Sequence, residues 1–299
     1  RRGGGAARLT PYLLVTPSVV ALVALFAYPV YLVVKISLQQ FRRRELIPGR
    51  TADYNNFENY RSVLTDDFFW SVTTRSFVFT FACVAATMLI GTALAFLLHR
   101  LGTVMRLGLS VAMVLAWSIP ILTNVVLWLW MFDPRYGVIN HLLTRVGFES
   151  YENHNWLQTQ TSVFFVIGVI IVWQALPFVA FSVQAGLASL PKELHEAARV
   201  DGAGAWRAFS SITWPILKPV FLILTFLSFI WDFRAFAQIW VVRNGGPGTE
   251  TVTLPVYLYT QGVAKGQFGV AAAVSVLMIL LLSLALAYYI RLLLKTEDV

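Results

Sequence analysis

Leu190-Pro191-Lys192-Glu193-Leu194-His195-Glu196-Ala197-Ala198-Arg199-Val200-Asp201-Gly202-Ala203-Gly204-Ala205-Trp206 is the stretch on which the reading turns. Pro191 suits the first turn of a helix, where its missing N–H costs nothing. Residues 192–201 are good helix formers apart from Val200 and Asp201. Gly202 can take the left-handed conformation that stops a helix. Spacings of three and four put Leu194, Ala197, Ala198 and Asp201 on one face. The two alanines leave room for a partner backbone, and Glu196 beside them offers a carboxylate to a partner arginine. A second short helix is expected from about Ala205 to Pro215. On physical grounds alone the stretch is either a docking element or an amphipathic connector lying on a membrane surface.

The membrane enters through the flanking sequence. Of 299 residues 58% are hydrophobic, 14% aromatic and only 13% charged. A soluble domain has about 45–50% apolar and about 25% charged residues. That gap excludes an ordinary soluble protein, a disordered chain, collagen and a disulfide scaffold, and the single cysteine, Cys83, cannot close an internal disulfide. A helix needs about 20 apolar residues to cross a bilayer core. Six runs qualify, at about residues 12–38, 77–98, 107–131, 163–185, 220–242 and 270–290. The first is too long for the apolar core of a signal peptide. The quoted stretch then lies in the longest connection on its side, residues 186–219. The expectation is an all-α polytopic membrane protein, one transmembrane domain over residues 1–299, with a helix-turn-helix loop between spans four and five.

Basic residues concentrate in cytoplasmic connections. The termini and the even-numbered connections carry 11 Lys/Arg in 62 residues, the other loops 10 in 96. Both termini and the 186–219 loop are therefore expected in the cytoplasm, which also accounts for most of the net charge of +8. No basic stripe with interleaved aromatics suggests nucleic acid. His99, His141, His154 and His195 have no metal-ligand spacing. Asp66-Asp67 reads as a helix cap before Phe68. No phosphate loop is present, Val263-Ala264-Lys265-Gly266 lacking its pattern, and no G-x-S-x-G or H-E-x-x-H constellation marks a catalytic centre.

Glu196-Ala197-Ala198, then three residues, Gly202, then nine residues and Ile212-Thr213-Trp214-Pro215, resembles the EAA motif of permease subunits in binding-protein-dependent ABC importers. Trp214 departs from the usual leucine. Asp201-Gly202-Ala203 and Pro219 match the sugar-type version. Asn244-Gly245-Gly246-Pro247-Gly248-Thr249, Thr253-Leu254-Pro255-Val256-Tyr257-Leu258-Tyr259 and Phe57-Glu58-Asn59-Tyr60 also resemble carbohydrate permeases. The resemblance implies the six-span permease fold of type I importers. It implies that Glu196, Ala197, Ala198, Asp201, Gly202 and Ala203 dock an ATPase subunit. It further implies a second permease, two ABC ATPase subunits holding ATP and Mg, an extracytoplasmic binding protein, and alternating access in a bacterial or archaeal cell membrane. The chain itself is expected to bind no cofactor and to catalyse nothing.

A charge inside a span is costly and usually faces a cavity. Asp232 and Arg234, with Gln238 and Trp231, are therefore candidates for the substrate path, alongside Phe233, Phe236 and Trp240. The alternative there is an interhelical ion pair with aromatic packing. Asn124, Gln174 and Gln184 are weaker candidates, since buried amides also tie membrane helices together. Pro120 and Pro177 are expected kinks or hinges. The substrate expected is a sugar or oligosaccharide. Alternatives are a polyol, glycerol phosphate or other solute, an enzyme acting on lipid-linked sugars, or a receptor or scaffold.

Overall fold

In the computed structural model, residues 4–297 are described, with side chains described over 12–294 apart from Lys192, His195, Arg199 and Ala205. The apolar runs fold as helices because only helices and closed barrels satisfy every backbone group in lipid. In chain order they are α1 (Gly4–Ser37), α2 (Glu58–Leu64), α3 (Asp67–Arg100), α4 (Thr103–Trp117), α5 (Ile121–Met131), α6 (Val138–Arg145) and α7 (Gln160–Ala188). There follow α8 (Lys192–Val200), α9 (Ala205–Ala208), a π-helical turn at Phe209–Thr213, α10 (Trp214–Phe233), α11 (Ala237–Arg243), α12 (Leu254–Tyr259) and α13 (Phe268–Glu297). Among the described residues five helices are long and apolar enough to cross a membrane, in Tyr12–Ser37, Asp67–Arg100, Gln160–Ala188, Trp206–Phe233 and Phe268–Leu294, and the bent pair α4 and α5 makes six if it counts as one broken span.

Two expected spans need correction. The run at 107–131 is not one helix: α4 and α5 meet at 105°. Pro120 lacks an N–H and pushes the residue before it out of helical geometry. It takes φ −56° and ψ 143° and serves as the N-cap of α5. The run at 220–242 also breaks. It begins earlier, at Trp206, and α10 stops at Phe233, where Arg234 takes φ −91° and ψ 3° and Ala235 N–H bonds Asp232 O at 3.1 Å. That tight turn ends the helix without proline or glycine, and α11 restarts at Ala237. Pro177, by contrast, is absorbed inside an uninterrupted α7.

The chain divides into two compact units, Arg1–Trp70 with Tyr257–Leu281, and Ser71–Val256 with Leu282–Val299. In the first unit, Phe57-Glu58-Asn59-Tyr60 closes the end of α1. Buried Asn59 donates to Ser37 O, a carbonyl at the helix end, at 2.8 Å and to Gln39 O just beyond it at 2.9 Å. Tyr60 Oη lies 2.7 Å from Ser37 Oγ. Asp66 caps α3, its Oδ1 accepting from Phe68 N–H at 2.9 Å, as the sequence suggested.

In the second unit α7 is the central helix, with Val163, Val166, Ile167, Ile170, Val179 and Val183 fully buried. Small residues let its neighbours close on it. A Cβ on Gly91 of α3 would stand 2.7 Å from Val179 Cγ1, and one on Gly186 2.7 Å from Leu217 Cδ2 of α10. After α5, Asp133 Oδ1 accepts from the N–H groups of Tyr136 at 2.8 Å and Arg135 at 2.9 Å. Those two bonds hold the Asp133 carboxyl below the usual carboxylate range.

Candidate functional site

The quoted stretch folds as expected. Gly202 takes φ +71° just past the end of α8. Ala203 N–H bonds Ala198 O at 2.8 Å and Asp201 N–H bonds Ala197 O at 3.0 Å, which satisfies carbonyls that the helix end would leave open. The face composed of Leu194, Ala197 and Asp201 is exposed, and Ala198 is half-buried. Val200 and Trp206 are 88% and 78% exposed, large apolar groups on the surface.

Glu196, also exposed, lines a cavity of about 690 Å³ with His99, Arg100, Arg106 and Gln184. No ion pair joins it to either arginine among the described residues. The neighbouring arginines come from the end of α3 and the first turn of α4. The tight His99–Arg106 connection could have signalled them, since it is the shortest and most basic link in the sequence.

The second candidate region is a cavity of about 610 Å³. Its walls are Trp117 and Ile121 at the α4/α5 break, Ile171, Gln174, Ala175 and Phe178 of α7, and Trp231, Asp232, Arg234, Ala235, Phe236, Ala237 and Gln238 around the α10/α11 break. The structure therefore gathers Trp231, Asp232, Arg234, Gln238 and Gln174, as the sequence suggested. Asp232 is 7% exposed and its Oδ2 has no hydrogen-bond partner. It forms no ion pair with Arg234 among the described residues. Phe178 and Trp231 pack at 5.0 Å and Phe236 stacks on Trp240 at 5.8 Å, giving the cavity flat aromatic walls.

Other candidates go elsewhere. Asn124 is 2% exposed, lies outside the lining, and its Nδ2 is unpartnered. Gln184 belongs to the Glu196 cavity. Phe233 is buried against Phe77 at 5.1 Å. Trp117 and Phe178 were missed, because an aromatic in an apolar span looks like any other core residue until its neighbours are known.

The loop after the fifth span is also built by residues the sequence did not single out. Arg75 donates to Thr249 O at 2.9 Å and Val252 O at 3.1 Å. Ser76 Oγ accepts from Leu254 N–H at 2.8 Å, and Gln160 Nε2 donates to Glu250 O at 2.8 Å. Asn244, Gly245 and Gly248 take positive φ.

The profile of the family described as "Binding-protein-dependent transport system inner membrane component" matches residues 87–295. The chain belongs to this family. As such it is a permease subunit, a multi-pass inner-membrane protein of an ABC transporter that works with a binding protein, and not itself an enzyme. The permease is 42% identical to the diacetylchitobiose uptake system permease protein of Streptomyces coelicolor, over 100% of this chain and 90% of that one. It is 33% identical to the sulfoquinovosyl glycerol transport system permease protein of Agrobacterium fabrum, over 97% and 92%. It is 32% identical to the trehalose/maltose transport system permease protein of Thermococcus litoralis, over 93% and 91%. A bacterial ABC transporter involved in the import of the acidic polysaccharide alginate shares the fold, with TM-score 0.79 at 15% identity over 97% of this permease and 96% of that chain.

Proposed function

We propose that this permease is one transmembrane domain of an ATP-driven importer for a sugar or oligosaccharide, working by alternating access. The observation that carries the reading is the cavity at Asp232, where two broken spans meet. Irregular backbone at membrane depth is tolerated where it lines a cavity, and broken helices commonly build transport sites. Asp232 accepts hydrogen bonds from sugar hydroxyls, Arg234 donates them, and Gln174 and Gln238 do both. Trp231, Trp117 and Phe178 offer flat apolar faces to a pyranose ring. Relatives named for diacetylchitobiose, sulfoquinovosyl glycerol and trehalose/maltose support a carbohydrate substrate.

The permease pairs with a second permease and two ATPase subunits, which hold the ATP and Mg, and receives its solute from an extracytoplasmic binding protein. Both termini and α8 face the cytoplasm. The exposed α8 face, with Glu196, Ala197, Ala198, Asp201, Gly202 and Ala203, docks on an ATPase subunit. ATP closure moves it as a rigid body and turns the cavity outward, and hydrolysis resets it. Arg234 also favours a second reading, an anionic sugar, because its guanidinium pairs with sulfonate or carboxylate as readily as with a hydroxyl. The test is ATP-dependent accumulation in vesicles reconstituted with the four-subunit complex and its binding protein. Sugar uptake supports the reading, and accumulation of a non-carbohydrate solute alone overturns it.

A further inference from the structure

A groove of about 560 Å³ lies between α3 and α7 and shares no residue with the Asp232 cavity. Spacings of three and four put Phe79, Ala82, Ala86 and Ile90 on one face of α3. The same spacings put Thr161, Phe165, Gly168, Val172 and Leu176 on one face of α7. The two helices run side by side in the same sense. Phe79 meets Phe164 at 4.7 Å near one end, and Gly91 closes on Val179 beyond the other. Small residues make the floor: even a Cβ on Gly168 would stand 3.8 Å from Phe79 Cε2 and 3.9 Å from Cys83 Sγ. Trp128 of α5, packed on Trp173 at 5.7 Å, forms a further wall. Ile90, Phe165 and Trp173 are exposed, so the groove opens sideways on what surrounds the helices. Its lining carries no charged side chain, and its one hydroxyl, Thr161, sits in the first turn of α7.

Length and width select the occupant. At about 1.5 Å per residue the α3 side, 79–90, runs about 16 Å and the α7 side, 161–176, about 22 Å. The hydrocarbon core is about 30 Å thick, so a chain from one leaflet reaches about 15 Å into it. Leu176 lies near the middle of α7, and the Gly91–Val179 contact shuts the groove just beyond it. The groove therefore covers one leaflet and stops. Over that length its volume leaves a cross-section of about 25–35 Å². A helix with its side chains is about 10–12 Å across, on the order of 80–110 Å², and does not enter. A hydrocarbon chain is one carbon wide, carbons pack at about 3.5–4.0 Å, and such a chain fits. The strip on offer is also on the order of 100 Å², against about 800 Å² that a stable protein interface takes from each partner.

We propose that this groove holds one acyl chain of a phospholipid as a resident ligand, with the headgroup at the Thr161 end. That end is extracytoplasmic in the orientation proposed above. The chain packs on a face of α7 other than the one whose Gln174 and Phe178 line the transport cavity. The inference goes beyond the transport reading and does not need it.

The test uses the assembled transporter in nanodiscs of phosphatidylcholine that carries a photoreactive diazirine on one acyl chain. Adducts are mapped by peptide mass spectrometry at two leucines near mid-span, half-buried Leu176 in the groove and Leu284, 69% exposed on α13. Lipid that merely diffuses past labels by exposure, so Leu284 would exceed Leu176. A resident chain reverses that order, and Leu176 is expected to exceed Leu284 at least threefold. Gly168→Leu fills the groove and is expected to cut the Leu176 label at least fivefold while Leu284 stays unchanged. Native mass spectrometry after a detergent wash is expected to show one phospholipid fewer per copy of that variant than of wild type. Should Gly168→Leu fail to insert, Ala86→Leu fills the groove from α3 and provides the same readouts. Labelling that follows exposure, or labelling and lipid count indifferent to the filling variant, would overturn the proposal. A photoreactive residue in place of Ile90 that joins a second permease instead of lipid would assign the groove to a protein and likewise overturn it.

Discussion

Glu196→Lys is expected to uncouple the transporter while leaving the permease folded. Glu196 is exposed and makes no hydrogen bond or ion pair with this chain's described residues. Reversing its charge therefore removes no bond made by the described residues, and surface changes of this kind usually stay within about 0.5 kcal/mol of stability. On a partner ATPase the balance differs. A hydrogen bond to a charged group contributes about 1.5–3 kcal/mol. At about 1.4 kcal/mol per decade, its loss weakens docking roughly 10–150-fold. Repulsion between the new lysine and a partner arginine adds to that, whereas Glu196→Gln keeps a hydrogen bond and should lose less. The assay pairs ATPase pull-down with ATP-driven uptake in vesicles, and a thermal melt in detergent checks folding. The result that refutes the reasoning is an inserted, stable Glu196→Lys permease with wild-type uptake and ATPase affinity. An unfolded variant would equally refute the claim that Glu196 has no internal duty.

Asp232→Asn keeps the shape of the 610 Å³ cavity but removes its one carboxylate. Sugar uptake should fall at least tenfold while ATPase docking stays intact, and unchanged uptake would remove Asp232 from the path. Gly91→Ala places a methyl 2.7 Å from Val179 Cγ1, an overpacking that costs on the order of 1–3 kcal/mol. A melting temperature equal to wild type in detergent would mean that α3 and α7 are not so tightly pressed. Arg75→Ala strips two bonds, to Thr249 O and Val252 O, from the loop after the fifth span. With Arg75 half-exposed the loss is put at about 2 kcal/mol. Limited proteolysis between residues 244 and 253 should speed up roughly tenfold or more, and an unchanged cleavage rate would show that Arg75 does not hold the loop.

Local chemistry was legible in the sequence where it acts over a few residues. The helix over residues 192–200, its stop at Gly202 and the cap at Asp66 depend on propensity and on one or two backbone bonds. Those interactions are complete within a short window, so composition reveals them. Asn59, Arg75 and Ser76 were not legible in the same way. Each looks like an ordinary polar residue near a span end. Its role comes from a carbonyl or N–H about 20 to 180 positions away, Gln39 for Asn59, Thr249 for Arg75 and Leu254 for Ser76. No period or spacing records such a partner.

The two span breaks separate these cases most sharply. Pro120 marks one of them, and a proline in a span predicts a disturbance but not its size, because neighbours can absorb it, as α7 absorbs Pro177. The break at Arg234 has no marker at all. Hydropathy measures how willingly side chains leave water, and residues 220–242 as a whole average apolar enough to pass for one helix despite Asp232 and Arg234. The backbone's path is a separate matter: a chain stops being helical at membrane depth only if its freed amides and carbonyls find protein or a wet cavity instead of lipid. Here Trp117 and Ile121 from one break and Trp231 to Gln238 from the other line the same space. The two breaks share one cavity wall, and Asp232 beside it keeps one carboxylate oxygen buried without a partner. Asp232, Arg234 and Gln238 thus pointed to the cavity. What opens the cavity is the coincidence of two interruptions more than 100 residues apart in the chain.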